Sequence, residues 1–418
     1  MHSDVSMHRF KQFPRLIWIL LFGAFITRGS YYMVWPFLAV ILYNKFAISA
    51  TEVGLLLTVA ALISVVAGFL GSALSDQFGR KNIMYFSGFL YIASFSLLAN
   101  IDSILGYAIV ITLCSIATEI WRPAASALVG DLLEDSQTRE LAMQALYFMV
   151  NVGAAIGPMI GFWLGLAGEP ETFYVTAVAF SIFLAILTWG FTDLPSKAFS
   201  STDEANPEKL AGSKFAELTH SFKVLLQDRV LQCLIFANII CMFVYGQMDS
   251  TLIQYLTRSE VPELYELISS MILTNALVII SSQFILLKMM SRLTLIQRIH
   301  IGLLLLSVSQ AWMAFNPVDL FWAWIGAVAI MSLAEAILFP TMSVHIDRLA
   351  PDHLRGAYFG ATTFYSLGFA LAPLGGGLLL DYFGGYSVYL TTSILCLVVI
   401  YLYSILSTLK RPSEAYAK

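Results

Sequence analysis

The sequence predicts an all-α integral membrane protein, with 12 transmembrane helices arranged as two pseudo-symmetric six-helix bundles (the first and second halves of the chain). Three observations carry that reading. Of 418 residues, 58% are hydrophobic and only 12% are charged, whereas soluble proteins carry about 25% charged residues. Apolar runs of the ~20 residues needed to cross the hydrocarbon core recur along the whole length. These runs are continuous rather than alternating in polarity, which argues against a membrane β-barrel. Finally, the two halves share an internal pattern.

In the first half the predicted segments are 16–43, 51–75, 81–101, 104–132, 138–166 and 172–191. The first is apolar to about Tyr43, interrupted by Arg28 and Pro36. That is too long for the short apolar region of a signal peptide, so none is expected. The second opens with Thr51 and Glu52 and ends at a charged turn, and the third follows that turn. The fourth starts after Asp102 and Ser103 and holds Glu119 and Arg122. The fifth opens within the polar stretch EDSQTRE, and the sixth is uncharged throughout. Residues 1–192 are therefore expected to be one bundle. The longest polar stretch in the chain comes next, and 193–224 is expected to be a cytoplasmic linker ending in a short amphipathic helix. The second bundle, 225–418, holds segments 225–257, 262–288, 294–315, 318–347, 353–382 and 385–408.

Orientation follows from the basic residues. With the N-terminus in the cytoplasm, nineteen of the 23 Lys and Arg fall inside. Only Lys45 and Arg258 fall outside, and Arg28 and Arg122 lie within the membrane. The positive-inside rule thus places both termini in the cytoplasm of a cell (inner) membrane protein. The four cysteines sit in apolar runs without metal spacing, as small buried hydrophobes do.

The repeat shows in the fourth and tenth segments. Glu119, Asp131 and Arg139 are spaced as Glu335, Asp347 and Arg355 are, at a shift of 216 residues. NVGAAIGP (151–158) faces SLGFALAP (366–373) at nearly the same shift. Arg28-Gly29 aligns with Tyr245-Gly246 at a shift of 217, which sets Asp249 opposite Tyr32. Three regions with one offset indicate duplication, and parallel six-helix repeats are a transporter architecture.

After the second segment the chain reads GSALSDQFGRKNIM. Asp76, Gly79, Arg80 and Lys81 form D-x-x-G-R-K between two spans, which resembles the signature loop of the major facilitator superfamily. Two positions depart from that signature: Ser72 stands where the family has Gly, and Gln77 where it has Arg. The physics suits a conformational latch. Gly79 permits a tight turn, and Arg80 can reach a carboxylate such as Asp131. In the fifth segment Gly153, Gly157 and Gly161 recur every four residues beside Pro158, baring one helix face for close packing. The stretch resembles the G-x-x-x-G-P motif of the superfamily's 12-helix drug/proton antiporters. That resemblance implies proton-coupled multidrug efflux, and it associates the helix-four arginine, here Arg122, with proton coupling.

Arg28, Glu119, Arg122, Asp249 and Glu335 are the intramembrane charges. Each costs roughly 2.5–3.5 kcal/mol to insert, so such groups face polar cavities, pair with one another, and mark function. Glu119 and Arg122 are three apart and share a helix face. Glu119, Arg122, Glu335 and Asp249 form the candidate proton-coupling set, with Glu119 and Glu335 as the proton carriers. Arg28, Tyr31, Tyr32 and Trp35 form one helical stripe. With Tyr147, Tyr245 and Tyr365, they are candidate walls of a substrate cavity for flat or amphipathic molecules.

Phosphate loops, zincin motifs and nucleophile elbows are absent from the sequence, so an enzyme, a cofactor, a metal site and a nucleic-acid partner are not expected. The expected partners are a small-molecule substrate, protons and membrane lipid, with the chain acting as a monomer. Proton-coupled uptake of a small nutrient or organic anion is the alternative, since Arg28 and Arg122 suit an anion. A membrane sensor would need a large soluble appendage, and none is expected from this sequence.

Overall fold

In the computed structural model of the chain, the described residues are 7–192, 226, 228–350, 358, 361–406 and 409. The expected linker 193–224 and Arg355 lie outside them, as do the side chains of Asp76 and Asp347. The described residues are helical with short connections. In chain order the helices are α1 (Met7–Phe10), α2 (Arg15–Val34), α3 (Leu38–Phe46), α4 (Ala50–Phe78), α5 (Arg80–Leu98), α6 (Ile104–Leu132), α7 (Ser136–Trp163) and α8 (Thr172–Phe191). They continue with α9 (Arg229–Tyr245), α10 (Ile253–Arg258), α11 (Leu264–Met289), α12 (Leu295–Phe315), α13 (Phe321–Leu349) and α14 (Tyr365–Ile405).

Ten stretches of the described residues are long and apolar enough to cross a membrane. Two of the expected twelve spans account for the difference. α5 opens with Arg80, Lys81 and Asn82, which dilute its apolar run. The last two expected spans run together as Thr362–Ile405 and turn only at Gly384, whose φ of 79° lies in the left-handed region. Large apolar side chains stay exposed on many of these helices: Trp322 is 77% exposed and Leu105 71%. Such faces suit lipid rather than water.

Helix ends follow local chemistry. Asp135 caps α7, its carboxylate accepting from the Thr138 N–H at 2.8 Å and hydroxyl at 2.6 Å. These two bonds hold the Asp135 carboxyl below its ordinary pKa. Ser103 caps α6, Asp228 caps α9, and Thr294 with Gln297 forms a capping box on α12. α2 stops at a 3₁₀ turn, Trp35–Phe37, because Pro36 cannot donate a backbone hydrogen bond. The equivalent region after α9 is broken differently. Met248–Leu252 is a π-helix, in which the Leu252 N–H reaches the Gln247 carbonyl five residues back at 2.8 Å.

The chain divides into two compact units, Met1–Ile41 with Val59–Ala211 and Leu42–Thr58 with Gly212–Lys418. In the first, α2 packs on α7 and α8, and α5 packs on α6 and α8. In the second, α9 packs on α14, α12 on α13 and α14, and α11 on α13. The repeat in the sequence is thus a repeat in packing, α2 on α7 matching α9 on α14.

The glycines explain how those two pairs close. A Cβ on Gly153 would lie 2.6 Å from the Phe25 carbonyl oxygen and 3.0 Å from the Gly29 nitrogen. Gly157 meets the Gly29 carbonyl, and a Cβ on Gly161 would lie 3.2 Å from that of Met33. In the second unit Gly368 meets the Ile239 carbonyl, and Gly376 meets Thr251 and Gln247. The second unit also includes the start of α4. There the Asp381 carboxylate accepts from the Ala50 N–H at 3.0 Å and the Thr51 N–H at 2.6 Å, satisfying orphan donors of the helix N-terminus.

Candidate functional site

Each unit gathers its own set of intramembrane polar groups. In the first, the glycine face of α7 sets α2 at close range and so fixes Arg28. Its guanidinium carbon lies 5.3 Å from the ring centroids of both Tyr31 and Tyr32, at cation–π distance. Its Nε is buried and has no hydrogen-bond partner among the described residues. Tyr31 is buried and stacks on Trp35 at 4.7 Å.

On α6, Arg122 Nη2 donates to Glu119 Oε2 at 3.0 Å, the i,i+3 pair expected from the spacing. The Arg122 side chain remains 75% exposed against 28% for Glu119, so one end of the pair is open. Arg28 and Arg122 line one cavity of about 140 Å³ with Tyr31, Tyr91, Thr118 and Trp121. Tyr91 donates its hydroxyl to Thr118 Oγ1 at 2.6 Å and stacks on Phe180 at 4.2 Å. Tyr32, Trp35 and Tyr147 do not line this cavity, and Tyr147 is 70% exposed.

The second unit centres on Glu335. Asn275 Nδ2 donates to its Oε2 at 2.9 Å and to Ser332 Oγ at 3.0 Å. The Tyr245 hydroxyl also hydrogen-bonds Glu335, and the Tyr245 ring meets Phe339 edge-on at 5.0 Å. Asp249 lies on the π-helix, exposed, within electrostatic range of Glu335. Tyr365 begins α14, half-buried, and makes none of these contacts.

Sequence reasoning missed Asn275, Tyr91 and Thr118. Asn275 had a signal: it is the lone amide in the apolar run SSMILTNALVII. Tyr91 and Thr118 had none, since only folding brings α5 beside α6.

At the charged turn between α4 and α5, Gly79 takes φ 83°. Arg80 Nε donates to Asp131 Oδ2 at 3.2 Å and Nη1 to Ser75 Oγ at 3.0 Å. Lys81 Nζ sits over the rings of Tyr85 and Phe191 at 5.8 and 5.4 Å.

Comparison with known proteins agrees with this architecture. The Major Facilitator Superfamily model matches residues 20–366 and 301–417. The chain is 28% identical over 382 residues to the uncharacterized MFS-type transporter YqjV of Bacillus subtilis, covering 90% of this chain and 89% of the relative. It is 24% identical over 388 residues to the Na(+), Li(+), K(+)/H(+) antiporter of Planococcus maritimus, covering 88% and 90%. The solved structure of the peptide transporter POT in complex with sulfate shares the fold, with a TM-score of 0.75 at 17% identity over 94% of each chain.

Proposed function

The chain belongs to the major facilitator superfamily, and on that premise we propose that this multi-pass membrane transporter is a proton-coupled exporter of small amphipathic or drug-like molecules. One observation carries the reading: each unit holds an intramembrane carboxylate with a defined polar partner, Glu119 with Arg122 and Glu335 with Asn275. Groups so costly to insert are kept where they bind or move charge. Protonating Glu119 frees the guanidinium of Arg122 from its 3.0 Å partner. Protonating Glu335 removes a charge beside Asp249. Either event changes which conformation of an alternating-access cycle is favoured, and a substrate bound in one conformation only is thereby coupled to the proton. The similarity to a cation/proton antiporter supports exchange, and the α7 glycine-proline motif supports export.

In this reading the Arg80–Asp131 bond is a cytoplasmic latch, and Arg28 with the surrounding tyrosines forms substrate wall. The protein acts as a monomer in the cell membrane with both termini cytoplasmic. One pH unit is worth about 1.4 kcal/mol, so each coupled proton sustains up to about a tenfold substrate gradient per unit.

The test is proteoliposome transport by Glu119→Gln and Glu335→Gln under an imposed pH gradient. At least one variant should retain exchange but lose gradient-driven transport; undiminished coupling in both refutes the assignment. The sign of the wild-type response separates export from the alternative, uptake of a small nutrient or organic anion.

A further inference from the structure

The cavity inside the first unit has an unbalanced charge. Two cationic side chains, Arg28 and Arg122, line it, and Glu119 is the carboxylate beside Arg122. Glu119 gives its 3.0 Å bond to Arg122 and acts on Arg28 only at longer range, so two cations share one carboxylate and the set keeps a net positive charge. The Arg28 Nε is buried with no hydrogen-bond partner among the described residues, although the same side chain lines an open space. A buried, unmatched N–H donor on a cation is costly unless something occupies that space.

The walls define the rest of the ligand. Tyr31, Tyr91, Trp121 and Phe180 present aromatic surface around the cation. The volume of about 140 Å³ is close to the ~150 Å³ that holds a benzene ring in an engineered protein cavity. Thr118 adds a hydroxyl to the lining, already engaged by Tyr91. The space therefore fits one ring, and its charge calls for one negative group. We infer that this cavity is a binding site for a monocyclic aromatic monoanion, an aryl carboxylate whose carboxylate meets the Arg28 guanidinium and whose ring lies among Tyr31, Tyr91 and Phe180. The inference rests on the exporter reading in taking this ligand as a transported substrate; the site itself lies within one six-helix unit.

The experiment uses the full-length chain in lipid nanodiscs, with Trp121 fluorescence and calorimetry as readouts. The probes are benzoate, its neutral isostere benzamide, and the cation benzylamine. Benzoate should bind at least tenfold more tightly than either, because the charge-assisted bond to Arg28 is lost with the others. Arg28→Gln should abolish that preference. Ala24→Phe, which fills the cavity and leaves Arg28 in place, should abolish binding of all three. Equal affinity for benzoate and benzamide, or benzoate binding unchanged in both variants, overturns the inference. If benzoate binds as expected but no pH gradient moves it, the site stands and the exporter reading fails. Proton-driven transport of other amphipathic molecules with no benzoate binding gives the converse.

Discussion

Adding one methyl group to Gly153 should separate α2 from α7 and displace Arg28. The Cβ of Gly153→Ala would lie 2.6 Å from the Phe25 carbonyl oxygen, 3.0 Å from the Gly29 nitrogen and 3.3 Å from the Arg28 Cβ. Ordinary contact needs about 3.5 Å, so the helices must part by roughly 1 Å. Overpacking of this kind costs about 1–3 kcal/mol. Alanine also gains about 0.5–1 kcal/mol of helix propensity over glycine, which would blur a single measurement. Gly130 supplies the control. It lies inside α6, and a Cβ there meets nothing within 4 Å. Gly130→Ala takes the propensity gain without the clash, so the gap between the two variants isolates the packing term. Reversible unfolding of the purified protein in mixed micelles should place Gly153→Ala below Gly130→Ala by about 1–3 kcal/mol. Because a displacement of ~1 Å disturbs a positioned group, substrate affinity should fall only in Gly153→Ala. Indistinguishable stabilities would refute the claim that these glycines hold the helices together.

Three further outcomes follow from named contacts. Asn275→Leu should lower unfolding free energy by about 1–3 kcal/mol, since Glu335 loses its amide donor; the loss should shrink in a Glu335→Met background, and an equal loss in both contradicts the pairing. Asp135→Ala should lower the melting temperature at neutral pH. The folded Asp135 carboxyl sits below its ordinary pKa, so its contribution is full above about pH 4 and fades as pH falls through the folded value; a deficit that persists in acid argues against the cap. Arg80→Ala and Asp131→Ala, combined in a double-mutant cycle, should couple by less than about 1 kcal/mol in stability, as an exposed ion pair does, while each slows transport; normal transport rates in both would remove the latch.

Much of the fold was legible because a membrane leaves few options. Long apolar runs must be helices there, since every backbone polar group needs an internal partner. Charge placement and the offset of 216 residues mark the duplication in the chain itself. The site was legible only in its costly members. Glu119 and Arg122 could be paired from sequence because i,i+3 spacing fixes a shared face. Glu335 could be singled out as an acid in an apolar span, but its partner lies 60 residues away on α11.

What the sequence by itself determined is therefore the class of protein, most of its long apolar helices, the repeat and the list of charges within them, because those depend on composition and short-range period. The tertiary structure decided which charges meet. It set Arg28 in a cavity with Arg122 and Tyr91, left Tyr147 outside, and put Asp249 on a π-helical turn. Those outcomes depend on how closely helices distant in sequence approach, as where Gly153 lets the backbones of α2 and α7 touch, and no local pattern encodes that distance.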